Sequence, residues 1–377
     1  MKVAIVHDYL REYGGAEMVV EDLHNIFPEA PIYTAYYNQN GLGIHKERIE
    51  KWNIKTSFMQ YIPFINKLIS PLRIIAPLAF MSFNLKEYDV VISSCNVYFS
   101  NAVRTGKNTL HIGYIHTPPK LLYGYTTSFN YKKHWYTRLS AELANHFLRI
   151  WDFKIAHNPN ILVANSKNVQ ERIKKFYRRD AVIIHPGVDT EQYAQTKKTN
   201  GEYYLALNRL SRGKGTEIIV AACTQLGIKL KVAGSGPDEE NLKKIAGKTV
   251  EFVGHVSEIE KIKLFAGAKA LIAATEAEDF GITVVEAQAA GTPVIAAKSG
   301  GYLETVVKGK TGEFFTVPSD LGESKEYVNQ EAVESLIEIL KNFNPKKYSE
   351  KDCRNQAEKF SKQNFKKQML VLIEKKL

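Results

Sequence analysis

The sequence predicts an α/β protein of two domains with parallel strands, and three observations carry that expectation. A chain of 377 residues usually divides into two domains, each large enough to bury its own core. Short apolar runs such as Ala270–Ala274 stand ahead of helical patterns and read as buried parallel strands. The strand–helix alternation also restarts at Tyr203, after the polar stretch Thr190–Gly201, which reads as a linker.

The charge is unevenly spread. The net charge is +11, yet residues 51–150 alone carry 12 basic and 3 acidic side chains, while residues 191–377 carry 28 and 25. From Lys51 to Lys86 there is no Asp or Glu, and Trp52, Phe58, Tyr61, Phe64 and Phe80 interleave with Lys51, Lys55, Lys67 and Arg73. Two readings fit this segment: an anionic membrane surface met by residues 51–86, or an apolar helical part of the core with a few solvated lysines. Pro71, Arg73 and Pro77 interrupt the apolar stretch Leu68–Phe83, so it does not read as a membrane span. Met1–Val6 is too short for a secretory signal. The scattered Cys95, Cys223 and Cys353 fit a reducing compartment. The expected location is the cytoplasm, peripheral to the inner face of the cell membrane if the basic segment meets lipid. No nucleic-acid-binding module is present, so no nucleic-acid partner is expected.

Taken in order, Lys2–His7 is a first strand, followed by a turn containing Gly14 and Gly15 and a helix to Phe27. Paired glycines there let backbone approach a ligand, although the G-x-G-x-x-G fingerprint is absent. Asp89–Ser94 and His111–Ile115 are further strands, and the second ends at His116-Thr117-Pro118-Pro119. Ligand groups in open α/β sheets gather at such strand ends, which makes His116 a candidate. Ile161–Ala164 is the next strand, and Asn165-Ser166 caps a helix over Lys167–Tyr177.

In the second half, Tyr203–Leu207 is a strand ending in Asn208–Gly215. Arg209 and Lys214 can bracket a diphosphate there, one as a planar fork and one as a mobile point charge. Leu230–Pro237 and Val250–Val256 are strand-and-turn units. The stretch Glu276–Ala296 then forms a βαβ connection, with a helix expected from Gly281 to Ala290 and a stop at Gly291-Thr292-Pro293. A helix N-terminus at Asp279-Phe280-Gly281-Ile282 suits a phosphate. Glu286 would accept from ribose hydroxyls and Glu278 would face the sugar or leaving group. No D-x-D motif stands at a strand end, so no essential metal is expected, though Glu276, Glu278 and Asp279 could hold one adventitiously.

The pattern Glu278-x7-Glu286, with Phe280-Gly281 inside it and Gly291–Val294 after it, resembles the signature of glycosyltransferase family 4. The resemblance implies the GT-B fold: two Rossmann-like domains facing across a cleft, with a C-terminal helix crossing back to the first. It divides the chain into an acceptor-side domain 1–188, a nucleotide-sugar domain 189–356 and a returning helix 357–377. Arg209 and Lys214 correspond to the pair that neutralises the departing nucleoside diphosphate. His116 matches a family histidine beside the donor sugar, and Gly14 and Gly15 match a glycine pair near the donor. Gly254 and His255 match the segment that meets the nucleobase, and Ser299-Gly300-Gly301 matches the next glycine turn. The implied activity is retaining hexosyl transfer from a nucleotide sugar, with no cofactor otherwise. GDP-mannose is the favoured donor, and a glycan or polyprenyl-linked molecule the acceptor, in surface polysaccharide or glycolipid synthesis. A UDP-sugar enzyme, an epimerase and a non-catalytic membrane-binding protein are the alternatives.

Overall fold

The computed structural model describes residues 1–68, 71–125, 135–199, 201–318 and 327–376, with backbone alone for 135–141. The chain forms two compact units: Met1–Gly124, Asn130–Gly187 and Gln363–Leu377 make the first, and Val188–Lys362 lies in the second.

The first unit is organised on a parallel sheet. Its strands are β1 (Val3–His7), β2 (Ile32–Thr34), β3 (Ile54–Thr56), β5 (Val90–Cys95), β7 (Leu110–Ile115), β8 (Ile161–Ala164) and β9 (Val182–Ile183), in the order β3-β2-β1-β5-β7-β8-β9. A separate two-stranded ladder pairs β4 (Asn84–Leu85) with β6 (Arg104–Thr105). β1, β5 and β7 are buried along their whole length, which explains their continuous apolar character: helices cover both faces of a parallel sheet. Alternation still sorts the side chains. Val3, Ile5, Ile32, Val90 and Ile92 pack on one face, and Ala4, Val6, Tyr33 and Val91 on the other.

The last helix, Lys362–Glu374, belongs to this first unit and buries Phe365, Met369, Leu372 and Ile373 against the first of those faces. The preceding helix, Glu350–Glu358, lies in the second unit, so the chain returns at Gln363 and not at residue 357. Segment 51–86 is broken into short pieces, among them Phe58–Tyr61 and Ala76–Met81, in keeping with its prolines. The stretch read as a linker is partly folded: Asp189 caps a short helix, Thr190–Ala194, whose Tyr193 is buried.

The second unit repeats the plan with β10 (Tyr203–Leu207), β11 (Leu230–Ala233), β12 (Val250–Gly254), β13 (Ala268–Ala273), β14 (Val294–Ala297) and β15 (Gly312–Phe315), in the order β12-β11-β10-β13-β14-β15. All pairings are parallel. In each sheet the order reverses direction next to the first strand, between β1 and β5 and between β10 and β13. Loops at the carboxyl ends of those four strands border a crevice where open α/β sheets bind ligands.

Candidate active site

In the second unit the two loops at the switch point are Asn208–Gly215, after β10, and Ala274–Gly281, after β13. They are pressed together at glycine. Gly215 has φ +69, and a Cβ there would lie 2.3 Å from the carbonyl oxygen of Ala274. No other residue fits that approach. Lys214, just before it, donates to Glu278 Oε2 at 3.2 Å. The charge of Glu278 raises the Lys214 ammonium pKa above its ordinary value, against burial and the neighbouring Arg209, which lower it. Arg209 itself is exposed. The Lys214–Glu278 pair is only partly shielded from water, at 35% and 21% side-chain exposure. Such a pair is worth roughly 1 kcal/mol or less, so a dianionic ligand can take the lysine from it.

Gly281, with φ +94, starts the helix Ile282–Ala289. Its missing Cβ would lie 2.9 Å from the Tyr302 ring, so a buried tyrosine seals one side of the helix end. Val284 and Val285 N–H donate to Gly281 O. The amides ahead of them are those a helix N-terminus directs to a ligand. The turn Ser299-Gly300-Gly301 grips the acidic loop from behind. Ser299 donates to Glu276 O, Gly301 N–H to Glu278 O at 2.9 Å, and a Cβ on Gly300 would lie 2.3 Å from Glu278 O. Thus the backbone bearing Glu278 and Asp279 is held in place. Among the described residues no group of three His, Cys, Asp or Glu is placed to hold a metal ion, so the suggested adventitious acidic site at Glu276, Glu278 and Asp279 does not form.

Glu286, expected to accept from ribose hydroxyls, is already held by a lysine. It is 3% exposed, and Lys261 donates to its Oε1 at 2.8 Å while also reaching Glu258 Oε2 at 3.0 Å. Burial lowers the Lys261 pKa, but Glu286 and Glu258 outweigh it and raise it overall. Breaking a buried pair by removing one partner typically costs about 3–5 kcal/mol, so Lys261 fixes the Glu286 carboxylate firmly. The other β-strand turns are set by close contacts too. A Cβ on Gly234 would lie 1.9 Å from Asn208 O, and Gly234 N–H donates to Gly254 O at 2.7 Å. Gly254, at φ +77, faces open space where its Cβ would be, and His255 beside it is exposed.

In the first unit, Gly14 and Gly15 are the start of the helix Gly15–Ile26. Gly14 N–H donates to Glu17 Oε2 at 2.9 Å, so the helix's own third-position glutamate satisfies the N-cap amide. His116 follows β7 and is buried. Its Nε2 lies 2.8 Å from Ser94 Oγ at the end of β5, and its carbonyl accepts from Asn165 at 2.9 Å. Burial, with help from His7, pushes the His116 pKa down to about 3, so the ring is neutral at physiological pH. Asp8, directly after β1, is also buried. Its Oδ2 accepts from the N–H groups of Asn96, Val97 and Tyr98 at 2.9, 2.6 and 2.9 Å, which ties the two switch-point loops of this unit together.

Sequence reasoning missed Lys261, His7, Asp8, Glu17 and Ser94. His7-Asp8 closes a strand just as His116 does, so the strand-end rule already pointed there. Lys261 carries no comparable signal: it is one lysine on a charged helix, and only the tertiary fold brings it to Glu286.

These features agree with the comparisons to known proteins. Residues 13–192 match the family described as Glycosyltransferase Family 4, and residues 187–358 match Glycosyl transferases group 1. A glycogen synthase of Mycobacterium tuberculosis is 28% identical over 183 residues, a match spanning 44% of this chain and only 44% of that relative. The alpha-1,3/1,6-mannosyltransferase ALG2 of Candida glabrata is 25% identical, covering 93% of this chain and 89% of the relative. Among solved structures, Anabaena HepE in complex with UDP-glucose superposes with a TM-score of 0.70 at 16% identity, covering 100% of both chains. Two parallel-sheet α/β units, a family 4 domain and a group 1 domain together place this chain among the glycosyltransferases of GT-B fold.

Proposed function

We propose that the protein is a retaining hexosyltransferase that takes its sugar from a nucleotide donor. Its acceptor is a glycan or polyprenyl-linked molecule of cell-surface polysaccharide or glycolipid synthesis. The observation that carries this reading is Lys214 on Glu278 beside the N-terminus of the Ile282–Ala289 helix, with Arg209 on the same loop. Breaking the bond between the anomeric carbon and the phosphate oxygen leaves negative charge on the diphosphate. Arg209, a Lys214 that leaves Glu278 when the donor binds, and the helix N-terminus stabilise that charge in the step. Glu278, relieved of Lys214, faces the sugar. Glu286, held by Lys261, accepts from the ribose, and Gly254 leaves room for the base beside His255. To His116 we assign the role that the family resemblance implies, a hydrogen bond to the sugar.

GDP-mannose is the favoured donor, supported by the mannosyltransferase named among the relatives. The UDP-glucose carried by HepE supports a UDP-sugar as the competing choice. A thermal-shift panel of GDP, UDP, GDP-mannose and UDP-glucose decides between them, because a ligand that binds only the folded state raises stability with occupancy. A rise with GDP compounds alone is the expected result. A rise with UDP compounds alone keeps the transferase and discards mannose, and no rise at millimolar ligand overturns the donor site.

A specific observation favours a further partner, an anionic membrane surface. Among the described residues no helix is long and apolar enough to cross a membrane. Yet Tyr61 is 84% and Phe64 77% exposed, with Phe58, Ile74 and Leu78 also outward. Their inward neighbours Met59, Ala76 and Phe80 pack in one cluster with Leu148 of the helix Trp135–Ile155. That helix shows its own outward apolar stripe, Leu143, Phe147, Ile150 and Trp151, at helical spacing. Both elements therefore cover the same face of the first sheet, and the cations of 51–86 suit acidic headgroups.

A further inference from the structure

We propose that Glu17, His7 and Ser94 form a hydrogen-bonded chain that fixes His116 as a neutral donor through Nδ1–H, making Ser94 and His7 positioning residues of the reaction. The use of that donor rests on the role given to His116 above; the chain itself rests only on the first unit's geometry.

His7 is 2% exposed and is wedged between acceptors on both ring nitrogens. Its Nε2 lies 3.4 Å from Glu17 Oε1. Its Nδ1 lies 3.3 Å from the Ser94 carbonyl oxygen and 3.1 Å from Ser94 Oγ. Glu17 can only accept, so Nε2 carries a proton towards it. We take Nδ1 to carry a second proton towards Ser94, whose carbonyl can only accept, which makes His7 an imidazolium paired with Glu17 and not a neutral ring accepting from the Ser94 hydroxyl. The direction of its pKa agrees: burial lowers it, but Glu17 and then Asp8 outweigh that and raise it. With His7 donating towards Ser94, the Ser94 hydroxyl is left to donate its own proton. Its remaining neighbour is His116 Nε2 at 2.8 Å. That nitrogen then accepts, and the ring's proton resides on Nδ1. The positive His7 beside it also disfavours a second proton on His116. A ring so held gives a hydrogen bond to a sugar or phosphate oxygen and cannot remove a proton through Nε2.

An adjacent pair supplies the contrast. Ser93, on the opposite face of β5, bonds His111 Nε2 at the same 2.8 Å. Among the described residues that pair ends at a buried His111 Nδ1 without a hydrogen-bond partner. Ser93–His111 is packing, whereas Ser94–His116 is connected to a charge.

The test is long-range nitrogen–proton NMR of the protein labelled in histidine with 15N, which distinguishes the two tautomers directly. The wild-type protein should show His116 protonated on Nδ1 alone and His7 on both nitrogens at pH 7. Ser94→Ala should release His116 to a mixture of tautomers, and Ser93→Ala should leave His116 as it was. Finding His116 protonated on Nε2 in the wild type, or unchanged by Ser94→Ala, overturns the chain, and the wild-type spectrum decides even if a variant fails to fold. Turnover of GDP-mannose and UDP-glucose, read as released nucleoside diphosphate, should fall about tenfold or more in kcat for Ser94→Ala with KM little changed. Full turnover in His116→Ala would instead remove the role assigned to His116 while leaving the hydrogen-bonded chain intact.

Discussion

The two sheets place their first strand and the strand beyond the switch point alike, yet their loops do opposite things with charge. In the second unit the loops after β10 and β13 meet at Gly215 and carry Arg209, Lys214 and Glu278 to partly exposed positions. In the first unit the loops after β1 and β5 meet through the buried Asp8 carboxylate, and the charged His7 and Glu17 are buried as well. Shared topology thus offers the same crevice twice. What the loops present depends on whether a glycine lets backbone meet backbone or a side chain must fill the gap. An exposed ion pair is cheap to exchange for a ligand, while a buried network is costly to disturb. Under the proposed function, the second unit releases a cation to substrate and the first holds a ring in one state.

The largest expected effect breaks this contrast on its exposed side. Arg209→Ala and Lys214→Ala should each lower kcat by about a hundredfold or more, the usual scale for losing a fixed group that stabilises a departing charge. Neither should shift the melting temperature by more than a degree or two, because each cation is at least partly in water. Rates within threefold of wild type for both variants would remove these residues from the site. A large loss of thermal stability would show that the loop, and not the cation, is what had been measured.

A second effect compares how the units bury a carboxyl group. Burial pushes Asp152 in the first unit up to about 7, although hydrogen bonds from Tyr123 and Tyr177 pull the other way. Burial, with Asp238 nearby, pushes Glu217 in the second unit up to about 7 as well. Between about pH 4 and 7 the folded protein keeps protons that the unfolded chain has given up. Stability should therefore be highest at the acid end of that window and fall as pH rises through it, by up to a few kcal/mol per group. Asp152→Asn should flatten the first unit's share of this slope and Glu217→Gln the second's, read from urea melts at pH 5 and 7. Because Tyr123 donates to Asp152 at 2.8 Å while Glu217 Oε2 has no hydrogen-bond partner among the described residues, Glu217→Gln should cost the less at pH 5. A slope unchanged in both variants would refute the assignment.

The α/β fold class and the glycine turns of the second unit's loops could be read in the sequence because their constraints are local. A glycine where backbones touch, a cation five residues after another, and an acidic turn before a helix are patterns of neighbours along the chain. Gly215, Gly281 and Gly300 all proved to sit at positive φ against a close neighbour. What stayed hidden was made by distance in sequence. Lys261 meets Glu286 from another helix, and Ser94 joins His7 to His116 across three strands. The folded stretch Thr190–Ala194 was hidden for a related reason, since its polar composition disguised the buried Tyr193. Lys214 shows the same limit: its place on the loop after β10 was legible, but its pairing with Glu278, far along the chain, was not.

The smallest expected effect concerns the outer face of the first unit, where the contrast between units is one of net charge. Vesicles containing anionic phospholipid should bind the protein at low salt and release it near 0.5 M salt, since each basic group near the surface contributes about 1 kcal/mol that salt screens. Neutral phosphatidylcholine vesicles should bind several-fold less. Phe64 gives the sharper probe. Its ring is 77% exposed at a φ of +58, a left-handed conformation that a bulky residue adopts at a cost and asparagine tolerates. Phe64→Asn should therefore leave the melting temperature equal or slightly higher while weakening vesicle binding about threefold or more. A residue kept in an unfavourable conformation to hold its ring in water is explained if the ring enters lipid. Binding to anionic vesicles that ignores both salt and Phe64→Asn, or that never occurs, would show that this face meets something other than a charged bilayer.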